Sequence, residues 1–163
     1  EPYRRQRQMC IRDSAHSVKN KKGVALERID PDAATQDAAN WTSASETVGY
    51  GTPGYQNSQY KDASSGGATG IEPPVWIEES GSYTVSYLLD RPGYSCRAFV
   101  FNTSGLRVAD ISNHELLGIS GKITWSGVAN NGSPLQTGVY IFYAEIYHPE
   151  GTVKRFKKAF LIR

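Results

Sequence analysis

From Ser82 onward, apolar and polar residues alternate with a period of two, and polar turns cut the alternation into short runs. In SYTVSYLL, Ser82–Leu89, the residues Tyr83, Val85, Tyr87 and Leu89 share one face. Asp90-Arg91-Pro92-Gly93 turns the chain, and Tyr94–Phe101 is the next predicted strand. Asn102-Thr103-Ser104-Gly105 turns it back into a third strand, Leu106–Ile111. Ser112–Ser120 reads as a loop carrying Leu116 and Leu117. Ile123 and Trp125 then alternate with polar neighbours. Asn130-Asn131-Gly132-Ser133 is turn chemistry, because Asn and Gly tolerate positive φ. Gly138–Tyr147, GVYIFYAEIY, is a long strand so apolar that it needs partners on both edges. His148-Pro149-Glu150-Gly151 turns into a last strand ending at Ile162. Short strands separated by turns predict an all-β antiparallel sandwich over about residues 75–163.

Before that region the pattern is weaker. Gly23–Ile29, GVALERI, predicts a short strand whose apolar members are Val24, Leu26 and Ile29. Asp30-Pro31-Asp32 ends it, since the residue before proline avoids the helical region. Ala33–Asn40 reads as a loop or a single helical turn. The Gly and Pro density of Thr47–Asn57 excludes a regular helix. Residues 59–74 read as a linker, flexible at Ser64-Ser65-Gly66-Gly67 and stiffened at Pro73-Pro74. Residues 1–22 form a polar leader without periodicity.

Two stretches carry resemblances. GVALERIDPDAATQDAANWTSASETVGYGTPGYQNS is similar to the closing segment of a bacterial lamin-tail domain, through the VALERI strand, the Asn40-Trp41 pair and the Gly-Tyr-Gly-Thr-Pro-Gly-Tyr finish. The earlier strands of such a module are missing, so residues 23–58 amount to a partial β module. A piece this short cannot bury enough apolar surface to fold alone, and it is expected either to be loosely ordered or to pack on the next domain. The second resemblance spans about Ser80–Arg163: YTVSYLLDRPG, a strand ending FNTSGLRV, a TWSG step, NNGSPLQTGVY and a last strand after HPEG. It resembles the Ig-like domain of the flagellar hook-assembly scaffold protein, in the version found at the C-terminus of large secreted bacterial proteins. That family usually has Trp-Asp-Gly where this chain has Trp125-Ser126-Gly127. The resemblance implies an Ig-like sandwich that serves as an extracellular spacer, an attachment module or part of an export signal.

Composition adds little beyond this. A net charge of +2 is too small to argue for nucleic acid. No apolar run is long enough to form a membrane-spanning helix. Cys10 and Cys96 lie in such different surroundings that a disulfide is not expected, and Cys96 reads as a small buried apolar residue. The basic run RRQRQMCIRDS, Arg4–Ser14, resembles translated sequencing-adapter read-through. The alternative is a natural, solvated basic tail. A secretory signal could have stood upstream of residue 1.

No catalytic constellation is legible, and no cofactor is called for. His16, His114 and His148 stand far apart and outside any metal motif. The serines lack a G-x-S-x-G elbow, and the glycine-rich stretches fall in turns and the linker rather than before a helix. Asp30, Asp32, Asp37 and Asn40 make an oxygen-rich loop that a hard cation could use. Turn capping is the simpler reading. Trp125, in a strand beside Ile123, reads as core rather than as a sugar platform. Lys154, Arg155, Lys157 and Lys158 make the last strand basic, which suits the guarding of an edge strand better than a nucleic-acid patch.

The sharpest expectation concerns a sheet face. With Tyr140, Phe142, Ala144 and Ile146 inward, Ile141, Tyr143 and Tyr147 point outward. With Cys96, Ala98 and Val100 inward, Phe99 and Phe101 point outward. If the two strands are neighbours, those five residues form an exposed aromatic surface of a kind that usually has a partner. The expected function is therefore non-catalytic: a C-terminal module of a secreted or cell-surface bacterial protein, acting in attachment, spacing or export. Its partner would be the preceding domain or a cell-surface protein. The alternatives are an accessory, glycan-binding domain of a secreted hydrolase and a stand-alone scaffold domain of a surface organelle.

Overall fold

The computed structural model describes residues 23–60 and 68–163. The adapter-like run, Cys10, His16 and the glycine-serine centre of the linker lie outside the described residues.

Ten strands are formed among the described residues: β1 (Leu26–Arg28), β2 (Trp41–Ser43), β3 (Gly70–Ile71), β4 (Val75–Ile77), β5 (Ser82–Leu88), β6 (Ser95–Phe101), β7 (Arg107–Leu116), β8 (Ser120–Trp125), β9 (Gly138–Tyr147) and β10 (Val153–Ile162). β1 and β2 form a small antiparallel ribbon. The rest make two antiparallel sheets. One has the order β10-β9-β6-β7. In the other, β5 is central, with β8 on one edge and both β3 and β4 on its second edge. Glu72-Pro73-Pro74 separates β3 from β4, because proline has no N–H to give the ladder. The chain is an all-β sandwich, as its alternation predicts.

The strands facing each other enclose one apolar layer. Tyr83, Val85 and Tyr87 of β5, with Ile123 and Trp125 of β8, come from one sheet. Cys96, Ala98 and Val100 of β6, with Phe142, Ala144 and Ile146 of β9, come from the other and are fully buried. Phe160 and Ile162 of β10 close the layer, and Phe160 packs edge-on against Tyr83 at 5.8 Å and Trp125 at 6.3 Å. Trp125 is therefore core, with its indole N–H donating to the Val128 carbonyl at 3.0 Å. Cys96 is a free, buried thiol held neutral by its surroundings, with its pKa pushed up to about 12 by burial.

Three elements differ from the sequence pattern. The expected loop over 112–120 is largely strand, since β7 continues to Leu116. Its pairing with β6 slips at three places and His114 sits at φ 66°, so the period of two is broken while the ladder survives. The link from β8 to β9 is not a tight turn between neighbours: it crosses from one sheet to the other over residues 126–137. And β3, within the stretch read as linker, places Ile71 in the core.

The leading segment packs on the sandwich at the β7–β8 corner. The Ser58 carbonyl accepts from Ile119 N at 3.0 Å. Gln59, fully buried, donates its amide to the carbonyls of Ser43 at 3.0 Å and Leu117 at 3.1 Å, tying β2 to the corner. Thr47 Oγ1 meets the Tyr87 hydroxyl at 3.3 Å. Gly118 permits the approach: a Cβ there would stand 2.5 Å from the Ser58 oxygen, well inside contact distance. The buried member of β1 is Glu27, while Leu26 is only half-buried, which inverts the expected apolar face. Its carboxylate accepts from Thr52 Oγ1 at 2.5 Å, Ser58 Oγ at 2.7 Å and Gln59 N at 3.3 Å.

Candidate functional site

The outer face of the β10-β9-β6-β7 sheet gathers the five residues singled out from the sequence. β6 and β9 are neighbours, and their register sets Phe99 opposite Tyr143 and Phe101 opposite Ile141. Because Val100 and Phe142 are fully buried, the alternating positions on both strands must face out. Phe99 and Tyr143 stack with centroids 6.4 Å apart and planes 10° from parallel, and Phe101 meets Tyr143 edge-on at 6.3 Å. Tyr147 lies two rows away on β9 and takes the His114 ring edge-on at 5.6 Å.

These aromatics are half-buried rather than open. Their cover is charged. The Arg107 guanidinium sits 3.7 Å from the centroid of Phe99 and is held there by two bonds to Asp110, each 2.5 Å. On the other side Glu145 takes Arg97 at 2.8 Å and Arg155 at 3.0 Å, with the Tyr143 hydroxyl at 3.2 Å. Those two guanidinium groups, Arg97 foremost, hold the Glu145 carboxyl below its ordinary range.

The apolar part of the face continues where sequence reasoning did not follow it. β10 pairs with β9 so that Ala159 lies beside Ile141 and Leu161 beside Val139. Leu161 and Val139 are half exposed, at 51% and 53%, and Ile141 is 37% exposed. The face thus has an apolar half, Phe101, Val139, Ile141, Ala159 and Leu161, and a charged half centred on Glu145. The alternation of Arg155, Lys157, Ala159 and Leu161 was visible in the sequence. Its place beside the aromatic stripe needed the β9–β10 register.

Other candidates are not brought together. His114 lies on Tyr147, while His148 lies on Tyr94 with ring centroids 5.2 Å apart. Trp76 packs edge-on against Tyr83 at the β4 edge, and Trp41 lies under Arg28 in the leading segment. In the oxygen-rich loop the side chains of Asp30, Asp37 and Asn40 bond within the loop itself. Asp30 Oδ1 accepts from Asp32 N, Asp37 Oδ1 from Ala39 N, and Asn40 both accepts from Asp30 N and donates to the Asp30 carbonyl. Among the described residues no three His, Cys, Asp or Glu side chains converge on a metal-sized site.

A partly aromatic sheet face framed by ion pairs can bind another surface by burial and charge matching. No family model matches the chain, and no curated protein matches it. Solved structures give loose likenesses. FlgD from P. aeruginosa aligns with a TM-score of 0.41 at 18% identity, over 52% of this chain and 65% of FlgD. PorZ, an essential bacterial surface component of the type-IX secretion system of Porphyromonas gingivalis, aligns with a TM-score of 0.36 at 16% identity, over 76% of this chain and 14% of PorZ. The chain therefore spans less than two thirds of either protein. At these TM-scores neither likeness carries an argument, and the sandwich is read from the strand pairing of this chain.

Proposed function

We propose that this chain is a non-catalytic docking and spacing module of a secreted or cell-surface bacterial protein. The outer face of the β10-β9-β6-β7 sheet is the surface that docks. The observation that supports this reading is the patch of Phe101, Ile141, Val139 and Leu161, apolar at its centre and bounded by paired charges, which is the anatomy of an interface rather than of a solvated sheet. The resemblances of residues 23–58 to a lamin-tail segment and of about 80–163 to a hook-scaffold Ig-like domain point to the same setting.

Glycan binding by an accessory domain of a hydrolase is less well supported. Sugars stack on open aromatic faces, whereas Phe99 is covered by Arg107, Trp125 is core and Phe101, Tyr143 and Tyr147 are half-buried. The test is retention of the full-length parent protein on its host's cell surface, read by flow cytometry. Ile141→Ser/Leu161→Ser should lower retention several-fold while circular dichroism and the unfolding midpoint stay unchanged. Full retention by that folded variant would sink the reading, and a retention loss reversed only by free sugars would favour the hydrolase accessory.

A further inference from the structure

We infer that the free edge of β10 takes an acidic, extended segment of a partner protein as a fifth strand of the β10-β9-β6-β7 sheet. The inference goes beyond the docking reading, because it concerns the main chain of β10 and not the side chains of the outer face. The hairpin between β9 and β10 fixes which main-chain groups are free. His148 N donates to the Thr152 carbonyl at 2.8 Å, so these two residues form a hydrogen-bonded pair. Such pairs recur at every second position of an antiparallel ladder. In the β9–β10 register, Lys154, Phe156, Lys158, Phe160 and Ile162 therefore bond to β9. The N–H and C=O groups of Val153, Arg155, Lys157, Ala159 and Leu161 point the other way, off the end of the sheet. None of these groups has a hydrogen-bond partner among the described residues.

The other edges of the sandwich are closed or short. β7, at the far side of the same sheet, slips three times against β6. Asn130 also plugs its outer edge, donating its N–H to the Val108 carbonyl at 3.0 Å and accepting from Asp110 N through Oδ1 at 2.8 Å. β3 and β4 share one edge of β5 and are parted by Pro73-Pro74. β8 lies across a small cleft from Glu46 and Thr47 of the leading segment. β10 has none of these devices: it pairs with β9 over ten residues without a slip or a proline. A long, regular edge is a template for a further strand, and its side chains then decide which strand. Lys154 is held by Asp90 at 2.9 Å and Arg155 by Glu145 at 3.0 Å. Lys157 and Lys158, in the middle of the edge, have no ion-pair partner among the described residues. They lie on opposite faces, since Phe160 and Ile162 are buried and strand residues alternate. Two β10 edges paired about their centre would set Lys157 or Lys158 against its own copy, which disfavours a second copy of this chain. Two consecutive acidic residues in an incoming strand would meet one lysine on each face.

The test is binding of a labelled peptide as long as β10, alternating threonine and valine around a central glutamate–aspartate pair, to the full chain. Fluorescence polarisation should show saturable binding. Amide exchange should show new protection at Arg155, Lys157, Ala159 and Leu161, whereas Phe156, Lys158 and Phe160 are protected already by β9. Ala159→Pro removes one outward N–H and leaves the β9 ladder whole, so it should weaken binding at least about tenfold while melting normally. Lys157→Glu/Lys158→Glu should weaken binding about as much, and should take up a peptide with a central lysine pair instead. If Ala159→Pro melts early, the amide exchange and the charge swap decide alone. No binding to the wild-type chain at millimolar peptide overturns the inference. Binding that leaves the outward amides unprotected, or that a folded Ala159→Pro does not weaken, is charge attraction alone and overturns it too. If those amides gain protection with chain concentration and no peptide, a second copy fills the edge and the inference falls.

Discussion

The sandwich and the leading segment hold themselves together by opposite means. Between the sheets the buried side chains are almost all apolar, with Tyr94, Phe142, Ile146 and Val100 at zero exposure. In residues 23–60 the buried set is Glu27, Asn40, Ser43, Ser45 and Gln59, with Ala44 the one hydrophobic member. Apolar burial is non-directional and tolerates small shifts. A buried polar junction stabilises only while every donor and acceptor keeps its partner, because an orphaned group loses its hydration for nothing in return. The comparison teaches that the segment is seated by directional bonds yet weakly held, and that it should leave before the sandwich unfolds.

The largest expected effect lies in the apolar region. Phe142→Ala empties the centre of the layer and should cost about 3–5 kcal/mol, read as a lower midpoint in urea with the sandwich still unfolding as one unit. A drop of only a few tenths would mean that the core does not depend on β9.

Next comes the junction. Gly118→Ala drives a methyl group into the Ser58 carbonyl, and Gln59→Ala removes the amide that bridges the Ser43 and Leu117 carbonyls, for about 1–3 kcal/mol. Either should expose residues 24–60 to limited proteolysis and leave a stable core beginning near residue 68. If protection of the segment survives both changes, the polar bonds are not what seats it.

The third effect sharpens the comparison through pH. Glu46 and Glu115 line one small cleft between the segment and the sandwich, together with Lys122 and Thr124. Burial raises the Glu115 pKa, the Ser112 hydroxyl opposes it in part, and the charge of Glu46 adds a smaller rise. A carboxyl whose folded pKa is raised binds more protons folded than unfolded across that window. Its stabilising contribution is therefore complete below the ordinary carboxylate range and is lost as pH rises through the folded value. Protection factors for amides 47–59 should fall as pH rises above the ordinary carboxylate range, and Glu115→Gln should flatten the profile. A rise with pH in the wild-type chain would refute the assignment.

The smallest effect is on the outer face. Glu145→Gln leaves Arg97 and Arg155 without their shared carboxylate, but both guanidinium groups reach solvent. The unfolding midpoint should move least of all these variants.

Much of the fold was legible. β5, β6, β8, β9 and β10 follow the alternation almost residue for residue, because half-buried strands imprint a period of two on the sequence. The end of β7 was not, since its slips against β6 scramble that period around His114. Nor was β3: two residues are too few to show alternation. Glu27 was misjudged because a buried carboxylate looks like a surface one until Thr52, Ser58 and Gln59 are seen around it.

The candidate face divides in the same way. That Phe99, Phe101, Ile141, Tyr143 and Tyr147 lie opposite the inward residues of their strands follows from strand geometry alone, and the sequence by itself determined it. Which strands are neighbours, and in what register, only the tertiary structure decided. Pairing depends on how the two sheets close over one another, a long-range outcome that no local pattern encodes. That closure placed Ala159 and Leu161 beside the aromatic stripe and set Arg107 over Phe99.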